Sequence, residues 1–492
     1  MKKRKALLAL FFAAFFTFTS CETFLGLTLG DLGPYQFYTI DVGTGAFLIV
    51  DATIAAQGRY SVVWAERGSG VTQAQAQAIA DEFDGYIRRA LLDAFCGGPF
   101  SLVGKTFCNI LSFANWLAGG SGGDNRLTVL LLDIRGGRQG NAIVAGYFFS
   151  GDFLARGRIG STRQYSNGRD IIYVNSTLLP HFKSDLFSTI AHELMHLINF
   201  ATTVRRHPSN PWNNMMDTWI DEGLAMTAEQ IYRGANLRER VAWFTGDPLG
   251  TIALGNNFFV WGNHANRPGA ILDDYATAYL FFRWLGLHAK ANLPAEIYAR
   301  FFYNMIVSPE RGTRVVTEQA RLINPDWANW DVLLKTWLAA NYDPGNRRFG
   351  YIGDADIFGA GVTRGTRRVY DMLYVALFPG EGVFSRVDGF FVEPRASGNI
   401  RHVGLTSGAP VVGSGFGRFY GDTLLTFNAN PDNSPHARAE TGRLTGAGAA
   451  AIAALAEPYF SHEPKGPLSI SAWDALGRDF ERPNFAPREW RR

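Results

Sequence analysis

The stretch FSTIAHELMHLINFATT, residues 187–203, places His192, Glu193 and His196 in the pattern H-E-x-x-H. On an α-helix, residues four apart lie on one face, so both imidazoles can point at a single metal ion. Glu193 lies about 100° round the helix from His192, which is too far for a natural third ligand but suits contact with a water molecule on that metal. The alternative is an ordinary buried helix whose histidines make hydrogen bonds.

A metal held by His192 and His196 needs a third protein ligand. One extended pattern, H-E-x-x-H-x-x-G-x-x-H, would require Gly and His at the positions that hold Asn199 and Thr202, and it is therefore excluded. A second stretch with acidic residues follows, TWIDEGLAMTAE at residues 218–229. Its Glu222 stands 26 positions after His196.

The two stretches HELMHLINF and TWIDEGLA together resemble the gluzincin zinc metallopeptidases, and most closely the hyicolysin-like family. In that family a W-x-x-E-G-x-A stretch supplies a glutamate ligand. The resemblance covers residues 125–305 and implies that His192, His196 and Glu222 bind one Zn²⁺ ion, with Glu193 as the general base. Gluzincin aminopeptidases share E-G-x-A but also carry a G-A-M-E-N motif, which this chain lacks. An endopeptidase acting on polypeptides is therefore favoured over an aminopeptidase.

Related enzymes add a Tyr or His that donates to the oxyanion of the transition state. The stretch LDDYATAYLFF offers Tyr275 and Tyr279, four apart on one predicted helix, and we prefer Tyr279. The alternative for either tyrosine is packing in a helical core. His264, in the segment WGNHANRPG, is a further candidate in a loop, or else a surface histidine.

A metal-bound histidine usually donates its second ring nitrogen to a carboxylate or carbonyl. Glu229 lies two helical turns beyond Glu222 and so on nearly the same face, whereas Asp221 points about 100° away. We therefore predict that Glu229 supports a ligand, with a solvent-facing charge as the alternative. Asn199 is expected either to bridge near the site or to make a hydrogen bond at the helix end.

The distribution of apolar residues predicts an α+β fold. Residues 21–120 contain strand patterns and one amphipathic helix, which suggests a small leading unit. Residues 121–348 contain three strands, the H-E-x-x-H helix and further helices, and the resemblance implies a zincin-like catalytic domain with a small mixed sheet. In gluzincins the edge of the strand before that helix can pair with an extended substrate. Residues 349–492 suggest a β-rich C-terminal domain with a flexible tail.

The N-terminus predicts export. Four basic residues precede an apolar run from Ala6 to Phe16, which is too short to span a bilayer and is typical of a signal peptide over residues 1–20. The segment FTSC resembles the lipobox of bacterial lipoproteins, although Phe18 stands where Leu is usual, and implies acylation of Cys21. The alternative is a plain signal peptide. We expect a lipid-anchored protein of the bacterial cell envelope, facing the periplasm or the exterior.

Composition limits the partners. Of 47 basic residues four lie in the predicted signal peptide, so the remainder nearly balance the 44 acidic residues, and no basic stripe indicates nucleic acid. Cys96 and Cys108 could form a disulfide in an oxidising compartment or remain as buried thiols. Two other functions stay open: a catalytically inactive, peptidase-like binding lipoprotein, and a zinc hydrolase acting on a non-peptide bond.

Overall fold

The structure is a computed structural model. It describes residues 35–95, 126–139, 142–179 except 162, 183–261 except 208, 250–251 and 256–257, and 271–357 except 355. In the C-terminal part it describes 367–368, 374–386, 390–392, 398–405, 418–420, 423–434, 437–443 and 468–474. The predicted signal peptide with Cys21, the cysteines Cys96 and Cys108, and His264 lie outside these residues.

The strands bear numbers in chain order. They are β1 (Tyr35–Asp41), β2 (Ala46–Gln57), β3 (Ser61–Glu66), β4 (Leu127–Leu132), β5 (Arg138–Gln139), β6 (Ala142–Phe149), β7 (Gly157–Arg158), β8 (Tyr165–Ser166), β9 (Ile171–Asn175), β10 (Arg367–Arg368), β11 (Tyr374–Leu377), β12 (Gly382–Arg386), β13 (Phe390–Val392), β14 (Ile400–Leu405), β15 (Arg418–Tyr420), β16 (Thr423–Asn428), β17 (Glu440–Arg443) and β18 (Leu468–Asp474).

One mixed sheet organises the N-terminal half. Its order is β1-β2-β3-β4-β9-β6-β18, and the short β5 also pairs with β6. The pairs β3–β4 and β4–β9 are parallel, whereas β1–β2, β2–β3, β6–β9 and β6–β18 are antiparallel. The central strands β4 and β9 are buried throughout, as expected where both faces of a sheet are covered. Alternate residues of these strands contribute to two hydrophobic cores, one of which includes the helices.

The helices are also numbered in chain order. They are α1 (Gln73–Glu82), α2 (Arg88–Phe95), α3 (Lys183–Arg206), α4 (Thr218–Arg233), α5 (Arg238–Gly246), α6 (Ile271–Asn292), α7 (Ala295–Tyr298), α8 (Phe301–Ile306), α9 (Thr313–Ile323) and α10 (Trp330–Tyr342). A π-helical turn, Phe83–Ile87, joins α1 to α2. Among the described residues, no helix has the length and apolar character needed to cross a membrane.

The α+β class and the β-rich C-terminal part are confirmed. After α10, β12, β14 and β16 form an antiparallel sheet to which β10 is added in parallel, and two further strand pairs accompany it. Two features cross the predicted domain boundaries. The strands β1–β3 of the predicted leading unit continue the sheet of the predicted catalytic domain. The strand β18, from the predicted C-terminal domain, pairs with β6 in that same sheet.

Candidate metal centre

Helix α3 carries the H-E-x-x-H pattern and packs against β6 and β9. Gly146 of β6 allows the strand and helix α3 to approach each other closely. A Cβ atom at this glycine would lie 2.7 Å from Thr189 Cγ2, 2.9 Å from the Tyr173 carbonyl oxygen and 3.1 Å from Glu193 Cγ. A larger residue would therefore push the strand away from the helix. The backbone of β6 thus lies directly beside Glu193.

Helix α4 supplies Glu222 and is held by close contact with α6. A Cβ atom at Gly223 would lie 2.2 Å from the ring of Phe282, so the glycine allows the two helices to approach. Trp219, one turn before Gly223, is fully buried and packs among aromatic rings that include Phe259 and Trp330. The W-x-x-E-G sequence therefore fixes α4 by packing and leaves Glu222 turned toward α3.

Three donor groups converge between these helices. His192 Nε2 lies 3.1 Å and His196 Nε2 lies 3.5 Å from the same carboxylate oxygen, Glu222 Oε2. Ligand atoms about 2.0–2.1 Å from a tetrahedral zinc ion lie about 3.3–3.4 Å from one another. These two separations, 3.1 Å and 3.5 Å, bracket that value. Because one donor atom from each of the three residues lies within 4.8 Å of the others, the donor set fits a single metal ion.

The other ring nitrogens contact carboxylates of α4. His192 Nδ1 lies 2.8 Å from Glu229 Oε1, and His196 Nδ1 lies 2.8 Å from Asp221 Oδ2. Asn199 donates its amide to Asp221 Oδ1 at 2.5 Å. Each imidazole can therefore donate from Nδ1 and turn its Nε2 lone pair toward the metal position, as is usual for histidine ligands.

We predicted Glu229 as the carboxylate that supports a histidine ligand. The structure places Glu229 against His192 and also places Asp221 against His196. Asp221 lies off the face of α4 that carries Glu222, which is why the spacing alone favours Glu229. His196 lies one turn beyond His192 on α3, and its Nδ1 is directed away from the common point. A carboxylate about 100° round α4 therefore meets it. The structure also places Asn199 as a bridge to Asp221 rather than at a helix end.

Burial and charge act together on these groups. Burial lowers the pKa of His192, but the hydrogen bonds to Glu222 and Glu229 outweigh it and raise that pKa to about 9. Burial also opposes charge on His196, yet Asp221 and Glu222 hold its pKa well above the usual value. Burial raises the pKa of Glu222, but the charge of His196 and the hydrogen bonds from both histidines lower it to about 2. The cluster therefore stabilises positive charge, which a divalent cation would supply.

Glu193 is fully buried beside this cluster. Its position follows from the helix, since it succeeds His192 in the chain and faces Gly146 of β6. The negative charge of Glu193 contributes to raising the pKa of Tyr275, after burial and the charge of Glu222. A carboxylate beside the donor atoms can take up and release protons there.

The two tyrosines occupy different surroundings. Tyr275 donates its hydroxyl to Glu222 Oε1 at 3.3 Å, and its ring lies 5.0 Å from the Arg240 guanidinium. The hydroxyl of Tyr279 instead accepts from the Leu237 amide at 3.0 Å and contacts Asn236 at 3.3 Å. Our preference for Tyr279 does not match this geometry. Four residues on a helix correspond to about 400° of rotation and a rise of about 6 Å, so the two hydroxyls reach different neighbours.

Arg240 is a site neighbour that sequence analysis missed. It is 7% exposed, contacts the ring of Tyr275, and its charge contributes to lowering the pKa of Glu229. Nothing in the stretch RERVAWFTG distinguishes this arginine from the surface arginines Arg238 and Arg300. Only the packing of α5 against α6 brings it here.

Comparison with known proteins finds a likeness to a neutral metalloprotease. The chain is 24% identical over 259 residues to the neutral metalloprotease ShpI of Staphylococcus hyicus. The alignment covers 51% of this chain and 50% of that protein, so the chain spans about half the length of the relative it matches. No family model matches the chain. The likeness supports a metallopeptidase in general, and the cluster of His192, His196 and Glu222 is a candidate site for its metal.

Proposed function

We propose that this protein is a zinc-dependent endopeptidase in which His192, His196 and Glu222 bind one zinc ion. The observation that carries the proposal is the convergence of both Nε2 atoms on one oxygen of Glu222, with each Nδ1 against a carboxylate. This combination matches the preference of zinc for nitrogen and oxygen ligands with hydrogen-bonded imidazoles. The likeness to a neutral metalloprotease agrees with it.

Residues around the proposed zinc ion have separate roles in the proposed reaction. A zinc ion bound there would lower the pKa of a water molecule toward neutrality and polarise the scissile carbonyl. Glu193 takes a proton from the attacking water and delivers it to the leaving amine. Glu229 and Asp221 hold the imidazoles in orientation. Tyr275 donates to Glu222, and we assign the stabilising hydroxyl near the oxyanion to it rather than to Tyr279.

Peptide bonds inside a polypeptide are the proposed substrate. The stretches HELMHLINF and TWIDEGLA resemble gluzincins, and the G-A-M-E-N motif of the aminopeptidases is missing from the sequence. A hydrolase of this type needs an extended segment to pass the metal, and pairing through the main chain would tolerate many side chains.

We further propose that the enzyme acts outside the cytoplasm, anchored through a lipid on Cys21. The basic N-terminus, the apolar run and the segment FTSC support this location. Cys21→Ser should move the protein from the membrane fraction to the soluble extracytoplasmic fraction. Equal membrane retention of the variant and the wild type would contradict the lipid anchor.

The decisive experiment compares wild type with Glu193→Gln. Both proteins should bind about one equivalent of zinc, since Glu193 is not a proposed ligand. Cleavage of unfolded casein should fall at least about 100-fold in the variant, the usual minimum for losing a general base. Glu296→Gln is the matched control, because Glu296 is exposed on α7 and should leave cleavage unchanged.

Two outcomes would refute the proposal. A wild-type protein that binds no zinc would exclude the metal site. Equal casein cleavage by wild type and Glu193→Gln would exclude the proposed base. Zinc binding with no cleavage by any form would instead favour the inactive binding protein.

A further inference from the structure

The strand β18 occupies the border of the sheet beside the candidate metal centre. It pairs antiparallel with β6, from Leu468 opposite Phe149 to Asp474 opposite Ala142. In the sheet order β6 lies between β9 and β18, so β18 covers what would otherwise be the free edge of β6. A strand paired in this way lies about 4.8 Å from its neighbour, close enough to exclude any other chain.

The centre of this pairing coincides with the proposed catalytic base. Ser471 lies opposite Gly146, the residue of β6 whose backbone abuts Glu193. The register shifts immediately after Ser471, where Ala472 pairs with Val144. β18 also contacts helix α3, which carries Glu193. The main chain of β18 therefore passes the site in an extended conformation at its middle, rather than by one of its ends.

The proposed metal ligands and the proposed general base are closed to solvent in this arrangement. The exposed fractions of His192, Glu193, His196 and Glu222 are all 1% or less. A peptidase must admit an extended polypeptide to these atoms, and an unpaired strand edge is the usual place for such a segment to add. Substrate therefore requires a rearrangement of residues that cover these atoms.

We propose that β18 is an intramolecular competitor that occupies the polypeptide-binding edge of β6 and must leave before substrate binds. The inference rests on the proposed peptidase function. The ligand class is an extended polypeptide running antiparallel to β6, and residues 468–474 are its occupant within the chain. Release of this strand exposes the edge without altering any metal ligand.

The test uses the full-length protein carrying Ser469→Pro and Ile470→Pro. Successive residues of a strand direct their N–H groups to opposite sides, so two adjacent prolines remove a donor on whichever side faces β6. The matched control carries Ser469→Thr and Ile470→Val, which keep both N–H groups and favour strands. Zinc content and the thermal unfolding midpoint are measured for all three proteins.

The proline variant should cleave unfolded casein with a kcat/KM at least about tenfold above wild type, since a tethered segment competes at an effective concentration of about a millimolar. The gain should appear in KM, with kcat unchanged. A synthetic peptide LSISAWD should inhibit this variant competitively, and the same peptide with both prolines should not. The threonine and valine control should match wild type.

A second measurement does not depend on the proline variant folding. Amide hydrogen exchange is followed in Glu193→Gln with and without a saturating, uncleaved casein peptide. Amides of residues 468–474 should lose protection when the peptide binds, whereas those of 142–149 should keep it. Retained protection of 468–474, or equal KM values for wild type and a folded proline variant, would overturn the role of β18. Loss of zinc binding or of cleavage in every form would instead contradict the proposed function itself.

Discussion

The contact between Glu229 and His192 predicts a measurable change in metal affinity. Glu229 is 3% exposed, and its Oε1 lies 2.8 Å from the Nδ1 atom of His192. In Glu229→Gln the amide oxygen can still accept the Nδ1 proton, so the imidazole should keep its orientation. The change removes the negative charge alone. A hydrogen bond to a charged partner contributes about 1.5–3 kcal/mol and a neutral one about 0.5–1.5 kcal/mol, so the expected loss is about 1–1.5 kcal/mol.

That loss corresponds to zinc binding about tenfold weaker, since about 1.4 kcal/mol is one factor of ten. Glu229→Ala removes the acceptor as well and should weaken binding by about 100-fold, the upper end for partners of metal-bound histidines. Affinity is measured by competition with a zinc-binding dye at fixed pH. Glu296→Gln again serves as the control for loss of one exposed carboxylate.

The order of the three zinc affinities tests whether the charge of Glu229 strengthens metal binding through His192. Wild type should bind zinc most tightly, Glu229→Gln less tightly and Glu229→Ala least. Equal affinity of Glu229→Gln and wild type would show that the carboxylate charge does not reach the metal through His192. A loss in Glu229→Gln as large as in Glu222→Gln would assign Glu229 as a direct ligand instead.

Two residues beside the candidate metal centre and one buried carboxyl group elsewhere in the fold can also be tested. Gly223→Ala places a methyl group against the ring of Phe282, so it should displace Glu222 and lower zinc affinity, measured with the same dye. Tyr275→Phe should lower kcat for casein cleavage by more than it changes zinc affinity, and equal effects on both would assign the hydroxyl a purely structural role. Burial raises the pKa of Asp152 from 3.8 to about 7, so the folded protein keeps a proton that the unfolded chain releases. Stability should therefore fall as pH rises from about 4 to 7, by up to about 4 kcal/mol, and chemical unfolding of Asp152→Asn should lack this decline.

The three residues of the candidate metal site lie in two short stretches of sequence, so the pattern that suggests them is local. The spacing of His192 and His196 places them on one helix face whatever surrounds the helix, and the short E-G-x-A motif suggested Glu222 through the resemblance to gluzincins. The sequence also predicts the buried strands β4 and β9, since strands covered on both faces are apolar throughout. The two helices that carry the candidate site could therefore be predicted from their own sequences.

Features that depend on packing between distant elements could not be predicted. Tyr275 and Tyr279 share a helix, and only the rotation and depth of α6 against α4 and α5 decide which hydroxyl meets Glu222. Asp221 and Arg240 likewise reach the site through the relative placement of helices. The presence of β1–β3 and β18 in one sheet could not be predicted either, because the apolar pattern of a strand does not specify which strand it pairs with.

The pairing of β18 with β6 has a consequence for folding. It joins residues more than 300 positions apart, and contacts of such long sequence separation are slow to form. During synthesis the edge of β6 stays unpaired until residue 474 has emerged, and an unpaired strand edge is where chains associate with one another. Once paired, β18 is itself the border strand, so it shields the edge of β6 beside the candidate metal centre and presents its own outer edge in its place. A chain shortened before Leu468 would leave the edge of β6 exposed throughout its life.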